Sequence, residues 1–194
     1  MLTFSGQLII FSGPSGAGKT TVLQRVLEES PQPLVKSVSA TTRPPRPGEI
    51  DGEDYCFLSD EEFQRRRTAD EFLESFEVFG RGYWYGTFKS TVTASLNDGK
   101  WLVLEIDVQG RRKVVEEFPQ AVTFFVRPRS LEILEQRLRR RGTENEESIQ
   151  RRLDVAGHEW RCADQYTYEI INYSMEQAVD EICQKLELIG AEPS

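Results

Sequence analysis

The chain has 194 residues, 38% of them apolar and 29% charged, and 24 Lys plus Arg against 32 Asp plus Glu give a net charge of −8. That length suits one compact domain or one core with an inserted lobe, and no apolar run reaches the roughly 20 residues of a membrane helix. The acidic balance argues against a general nucleic-acid binder, the three widely spaced cysteines against a disulfide framework or zinc site, and the single histidine, His158, against histidine-based acid–base chemistry.

No basic segment precedes a hydrophobic core at the N-terminus, so no secretory signal is expected and the chain reads as cytoplasmic. Gln7–Thr21 opens with the apolar run Leu8-Ile9-Ile10-Phe11. It continues through Gly13-Pro14-Ser15-Gly16-Ala17-Gly18-Lys19-Thr20-Thr21 into a helical pattern. Strand, glycine-rich turn and helix are the setting in which this spacing forms a P-loop. The glycines permit backbone angles that a Cβ forbids, and the turn's N–H groups with the helix N-terminus cradle phosphates. Lys19 is placed to reach the β- and γ-phosphates, and the Thr20 hydroxyl to ligate Mg²⁺.

Val22, Leu23, Val26 and Leu27 form the apolar stripe of that helix, which Pro31 and Pro33 end. Leu34–Ser39 reads as a short strand. Thr41–Gly52 is too rich in Pro and Gly for regular structure. Its prolines fix φ and present Arg43 and Arg46 stiffly, a form suited to a phosphate monoester. Tyr55–Leu58 is extended, and Ser59 with Glu62 makes a capping box for a helix over Asp60–Arg67, whose Arg65–Arg67 run reads as a solvated face. Phe72–Phe79 reads as a strand, Gly80–Thr87 as an aromatic turn, and Lys89–Asp98 as a weak helix closing at Gly99.

Trp101–Ile106 reads as a strand buried on both faces, with Asp107 at the carboxyl end, where α/β proteins place ligands. Arg111–Glu117 is a helix and Ala121–Val126 another buried strand. Ser130 caps a helix with Leu131, Leu134 and Leu138 on one face. Arginines 137, 139, 140 and 141 and a polar turn follow, and a second helix carries Ile149, Leu153, Ala156 and Trp160 on one side. Tyr168–Ile171 is the last strand, and Ser174 with Gln177 boxes the terminal helix. The alternation predicts an α/β fold, a P-loop parallel sheet with helices on both faces, interrupted from about Ser39 to Asp98 by an inserted lobe. A triphosphate cradle, a rigid arginine pair and an arginine-rich turn read together as a kinase whose acceptor itself carries a phosphate.

Thr41–Leu58, T-T-R-P-P-R-P-G-E-I-D-G-E-D-Y-C-F-L, resembles the signature of the guanylate kinases across its full length. Also similar are the P-loop itself, F-L-E at Phe72–Glu74, Y-G-T at Tyr85–Thr87, I-D-V-Q-G at Ile106–Gly110 and R-L-R-R-R-G-T at Arg137–Thr143. The resemblance implies one guanylate kinase-like domain over 1–194, with core 1–38 and 99–194, a GMP-binding lobe at 39–98 and an arginine-rich lid at 139–149. It implies transfer of the γ-phosphoryl group of ATP to GMP, giving ADP and GDP, with Mg²⁺. Nucleic acid and membrane are not expected as partners, and the chain is expected as a monomer or homodimer.

By that resemblance ATP lies on Gly13, Pro14, Ser15, Gly16, Ala17, Gly18, Lys19, Thr20 and Thr21, with Asn172 near the adenine. The GMP phosphate falls to Ser39, Arg43, Arg46 and Tyr55 with Tyr85 beside them. Guanine falls to Glu74 and Thr87, with Asp107 near the base. Lys19, Arg43, Arg137, Arg141 and Arg152 serve the transferring group. Glu74 makes chemical sense there, because guanine offers N1–H and an exocyclic amine to a carboxylate whereas adenine presents an acceptor at N1. The sequence departs from the family pattern in a longer turn before Tyr85, in Glu105 where Asp is common, and in Tyr173-Ser174 where acidic residues are usual. Two other readings compete: a peptide-binding scaffold module, which the intact Gly13, Gly18, Lys19 and Thr20 oppose, and a kinase for another phosphorylated acceptor, which Glu74 with Thr87 opposes.

Overall fold

The computed structural model describes residues 4–77, 82–140 and 145–191. Along the chain run β1 (Gln7–Ser12), α1 (Lys19–Glu29), β2 (Leu34–Lys36), β3 (Ala40–Thr41), β4 (Cys56–Phe57), α2 (Asp60–Thr68), β5 (Phe72–Glu77) and β6 (Trp84–Phe88). There follow α3 (Lys89–Asn97), β7 (Trp101–Glu105), α4 (Val108–Glu117), β8 (Val122–Arg127), α5 (Leu131–Arg140), α6 (Glu146–Trp160), β9 (Tyr168–Ile171) and α7 (Met175–Ala191). One sheet has the order β2-β7-β1-β8-β9, with β8 parallel to both β1 and β9; a second has the order β4-β3-β6-β5. The fold is thus α/β, a parallel central sheet flanked by helices.

By its internal contacts the chain falls into two compact units. The first holds Val35–Val103 and Gln109–Ala121 with the N-terminal residues up to Leu8. Its four-stranded sheet is closed by a small aromatic core. Phe63 stacks on Phe72 at 4.5 Å between centroids and Phe72 on Phe88 at 4.9 Å, with Ala40 and Trp84 packed against them. Such aromatic pairs contribute about 0.5–1.5 kcal/mol each beyond area burial. At the centre Gly86 lets the strands and rings pack closely, since a Cβ there would lie 3.0 Å from the Phe72 ring and 3.1 Å from the Glu74 carbonyl.

The second unit holds Ile9–Leu34, Leu104–Val108 and the chain from Val122 onward. The apolar runs of β1 and β8 are buried throughout their centres and pair in register from Ile9–Val122 to Ser12–Phe125. In α5 and α6, Leu134, Leu138, Ile149 and Ala156 form one core cluster, with Leu153 against it. Leu131, expected on that face, is 38% exposed, one turn too early to reach α6.

Local signals account for most boundaries. Ser59 accepts from the Glu62 N–H at 3.1 Å and Ser174 from the Gln177 N–H at 3.2 Å, the first half of each expected box. The Glu62 carboxylate turns instead to Arg65 and Arg66, which hold it near a pKa of about 2. Asn145 caps α6 by accepting from the Ser148 N–H. Three expectations need correction. Leu34–Ser39 is a strand only to Lys36; the Ser37 N–H still bonds the Val103 carbonyl. Trp84–Thr87, read as part of a turn, is strand β6, because each aromatic there has a partner across β3 or β5. The Arg65–Arg67 face is not merely solvated: Arg66 lies over Phe88 and Arg67 over Trp84, at 5.4 and 4.2 Å. Val78, Phe79, Gly80 and Arg81, with Arg141–Glu144 of the polar turn, lie outside the described residues. All three cysteines are free.

Candidate active site

In the second unit β1 delivers the chain to the P-loop. Gly13 sits at φ +136°, and a Cβ there would lie 2.0 Å from the Val126 carbonyl oxygen, so the loop can hug β8 only with glycine at this position. Gly18 caps α1, which begins at Lys19. The Lys19 ammonium donates to the carbonyls of Gly13 and, at 3.0 Å, Pro14. Burial pushes its pKa below the ordinary lysine value, against the attraction of Glu159, Glu105 and Asp107.

Thr20 Oγ1 donates to Glu105 at 2.6 Å, at the carboxyl end of β7. Arg137 of α5 and Asn172 after β9 both donate to the Ala17 carbonyl at 3.0 Å, and Arg152 of α6 donates to Ser15 Oγ at 2.7 Å. A cavity of about 430 Å³ opens beside the loop, lined by Gly16, Gly18 and Thr21 with Arg137, Arg140, Asn172 and Tyr173. Arg140, read as solvated, thus lines this cavity, whereas Arg139 pairs with Glu135 and Glu146 as a surface residue does. Asp107, expected beside the guanine, acts electrostatically on Lys19 within the P-loop unit. Arg141 lies outside the described residues.

In the first unit Arg43 is buried to 8% exposure and lies at the centre of the Pro-Gly segment. Its Nη atoms donate to both Glu49 oxygens at 2.9 Å and its Nε to the Tyr85 hydroxyl at 3.2 Å. The guanidinium lies 5.2 Å from the centre of the Tyr55 ring. Glu49 also accepts from the Arg46 N–H, and with Arg43 as the larger cause its pKa is held down at about 2. Ser39 is half-buried, its carbonyl bonded by the Cys56 N–H, and the Arg46 side chain is exposed. Glu74 on β5 faces Thr87 on β6 in register; the Thr87 hydroxyl donates to its carboxylate at 2.6 Å, and both are buried.

Two acids escaped the sequence reading. Glu49 stands six residues after Arg43 inside the same stiff segment, so an acidic residue within a phosphate-gripping motif was the available signal. Glu159 stands seven after Arg152 on α6, two turns on and on the same face.

The family model for guanylate kinase matches residues 5–189. The chain belongs to the guanylate kinase family. A guanylate kinase of Rhodopirellula baltica is 56% identical over 182 residues, covering 93% of this chain and 87% of that protein. One of Nostoc is 46% identical over 178 residues, covering 92% and 88%. The crystal structure of guanylate kinase from Anaplasma phagocytophilum superposes with a TM-score of 0.78 at 34% identity, over 99% of this chain and 90% of that one. Membership in the guanylate kinase family agrees with the resemblance drawn from the motifs.

Proposed function

We infer that this chain transfers the γ-phosphoryl group of ATP to GMP, giving ADP and GDP. The observation that carries the choice of acceptor is the buried Glu74 carboxylate held by Thr87. A carboxylate accepts from guanine N1–H and the exocyclic amine, and a site built on such pairing rejects a base without those donors by about 10⁴-fold or more. The span 39–98 is the GMP lobe, in which Arg43, Arg46, Tyr55, Tyr85 and Ser39 hold the acceptor phosphate.

The triphosphate lies along Gly13–Thr21. Lys19, Arg137, Arg141 and Arg152 neutralise charge that spreads over the equatorial oxygens of the group in transfer. Lys19, Arg137 and Arg152 are each tied to the loop's own carbonyl or hydroxyl oxygens. Negative phosphate oxygens are stronger acceptors than these and would draw the same donors outward. The donor base occupies the cavity beside Arg137 and Asn172. Because the Asn172 amide nitrogen is engaged by Ala17, its task is to brace the loop as much as to meet the base.

A kinase of this family that uses ATP implies a divalent metal, here Mg²⁺. The hydroxyl of Thr20 beside the Glu105 carboxylate is an all-oxygen donor set suited to a hard cation. Among the described residues no cluster of three acidic, His or Cys ligands could hold a metal unaided, so most of its ligands are nucleotide and water oxygens. When bound, the metal supplies positive charge to the β- and γ-phosphates.

No helix among the described residues is long and apolar enough to cross a membrane, and the net charge of −8 disfavours nucleic acid; we place the chain in the cytoplasm. A coupled ADP-release assay tests the reading. GMP with ATP should turn over, with AMP, CMP and UMP slower by orders of magnitude. Absence of turnover with every monophosphate would restore the interaction-module alternative.

A further inference from the structure

Strand β3 is only two residues long, and the chain leaves the sheet at Thr42 to become the stiff segment that carries Arg43. Two threonine hydroxyls secure that exit. The Trp84 carbonyl on β6 accepts from the Thr42 N–H at 3.0 Å and from Thr41 Oγ1 at 2.9 Å, and the Trp84 N–H donates to Thr42 Oγ1 at 3.0 Å. By the β3–β6 register Thr42 stands opposite Trp84, and its hydroxyl takes the place its carbonyl would have in a longer ladder. The Thr41 hydroxyl also accepts from the Arg43 N–H at 3.2 Å, a side-chain turn spanning two residues of the kind threonine favours. Thr41 is fully buried, so solvent does not compete for its oxygen.

The Arg43 guanidinium is gripped from two pieces of chain. Glu49 and the Pro44 carbonyl hold its Nη atoms from within the segment, while the Tyr85 hydroxyl takes its Nε from β6, one residue beyond Trp84. These groups meet one guanidinium only if the segment and β6 keep a fixed offset. The Thr41 hydroxyl bonds to both, to the carbonyl that precedes Tyr85 and to the amide of Arg43 itself. Pro44 restricts the Arg43 backbone to extended angles, so the anchored amide sets where the side chain starts. We propose that Thr41 is a positioning residue for acceptor binding, its buried hydroxyl locking the Arg43 amide to β6 so that Arg43 and Tyr85 meet a phosphate monoester as one preset unit. The proposal rests on the reading of Arg43 as a holder of the GMP phosphate. Thr41 touches no nucleotide in this scheme and acts through Arg43 and Tyr85.

Amide exchange followed by NMR and steady-state kinetics with ATP and GMP test it on the full chain. In the wild-type protein without nucleotide, the Arg43 amide should exchange at least about a hundredfold more slowly than an open amide. An unprotected Arg43 amide overturns the proposal whatever the variants do. Thr41→Val keeps the shape and removes the hydroxyl; shown folded by a thermal melt, it should raise KM for GMP about tenfold with KM for ATP within about twofold. Thr41→Ser, which keeps the hydroxyl, should hold KM for GMP within about threefold of wild type. A wild-type KM for GMP in Thr41→Val beside a much raised one in Arg43→Met overturns the proposal alone. An equal rise in both KM values, as general loosening would give, or a Thr41→Ser variant no better than Thr41→Val, overturns it as well. A wild-type KM for GMP in Arg43→Met overturns the underlying reading of Arg43 and the proposal with it.

Discussion

Glu159 should make the protein less stable than it need be, and the pH at which it does so follows from its surroundings. Burial, with Asp107 adding to it and Lys19 opposing, raises the Glu159 carboxyl from an ordinary 4.5 to about 7. A group whose folded pKa lies above its unfolded one stabilises most below the unfolded value and loses that contribution as pH rises through the folded one. At about 1.4 kcal/mol per pH unit, the step from 4.5 to about 7 places a cost of about 3 kcal/mol on the folded enzyme above neutrality. Glu159→Gln keeps the shape and removes the charge. Urea melts of wild type and variant should therefore nearly coincide at pH 4.5. They should diverge as pH rises, the variant reaching about 3 kcal/mol more stable at pH 8, or about 6–12 °C in Tm for a chain of this size. A stability gap that does not change between pH 4.5 and 8, or a variant less stable than wild type at pH 8, would refute the reasoning.

Thr87→Val removes the donor to the buried Glu74 carboxylate, and should lower kcat/KM for GMP by about 10–100-fold with KM for ATP unchanged; steady-state kinetics with each nucleotide varied decides it. Glu49→Gln weakens the two-pronged grip on Arg43 and should raise KM for GMP about tenfold. Because the Glu49 carboxyl is held at about 2, its contribution to stability is present above 4.5 and fades as pH falls through about 2, so acid unfolding of this variant should lose that component. Arg67→Ala uncovers Trp84 and should cost about 0.5–1 kcal/mol in a urea melt, with a change in tryptophan emission and little change in kcat.

What the sequence disclosed and what it withheld divide along a physical line. The P-loop and β1 were readable because their chemistry is local: glycine spacing, a lysine-threonine pair and an apolar run lie within fifteen residues. Glu74 and Thr87 were readable as a pair only through the family motif, since thirteen residues separate them and only the β5–β6 register makes them neighbours. Glu159 gave no local sign at all, because Lys19, whose lowered pKa it partly offsets, is 140 positions away in the chain. The strand character of Trp84–Thr87 was masked by the glycines around it; pairing on both sides, to β3 and β5, overrode their turn preference. Arg67 looked like one of three interchangeable surface charges until the fold put an indole beneath it.

The Ala17 carbonyl, held from one side by Arg137 and from another by Asn172, carries a consequence for the group across its own peptide bond. A peptide unit is rigid and planar, and no described bond of this chain is cis. Whatever aims the oxygen of Ala17 therefore aims the N–H of Gly18 in the opposite direction. Two side chains, from α5 and from the end of β9, thus steer a donor that neither of them touches. The orientation of one amide at the start of α1 is set by residues 120 and 155 positions further along the chain.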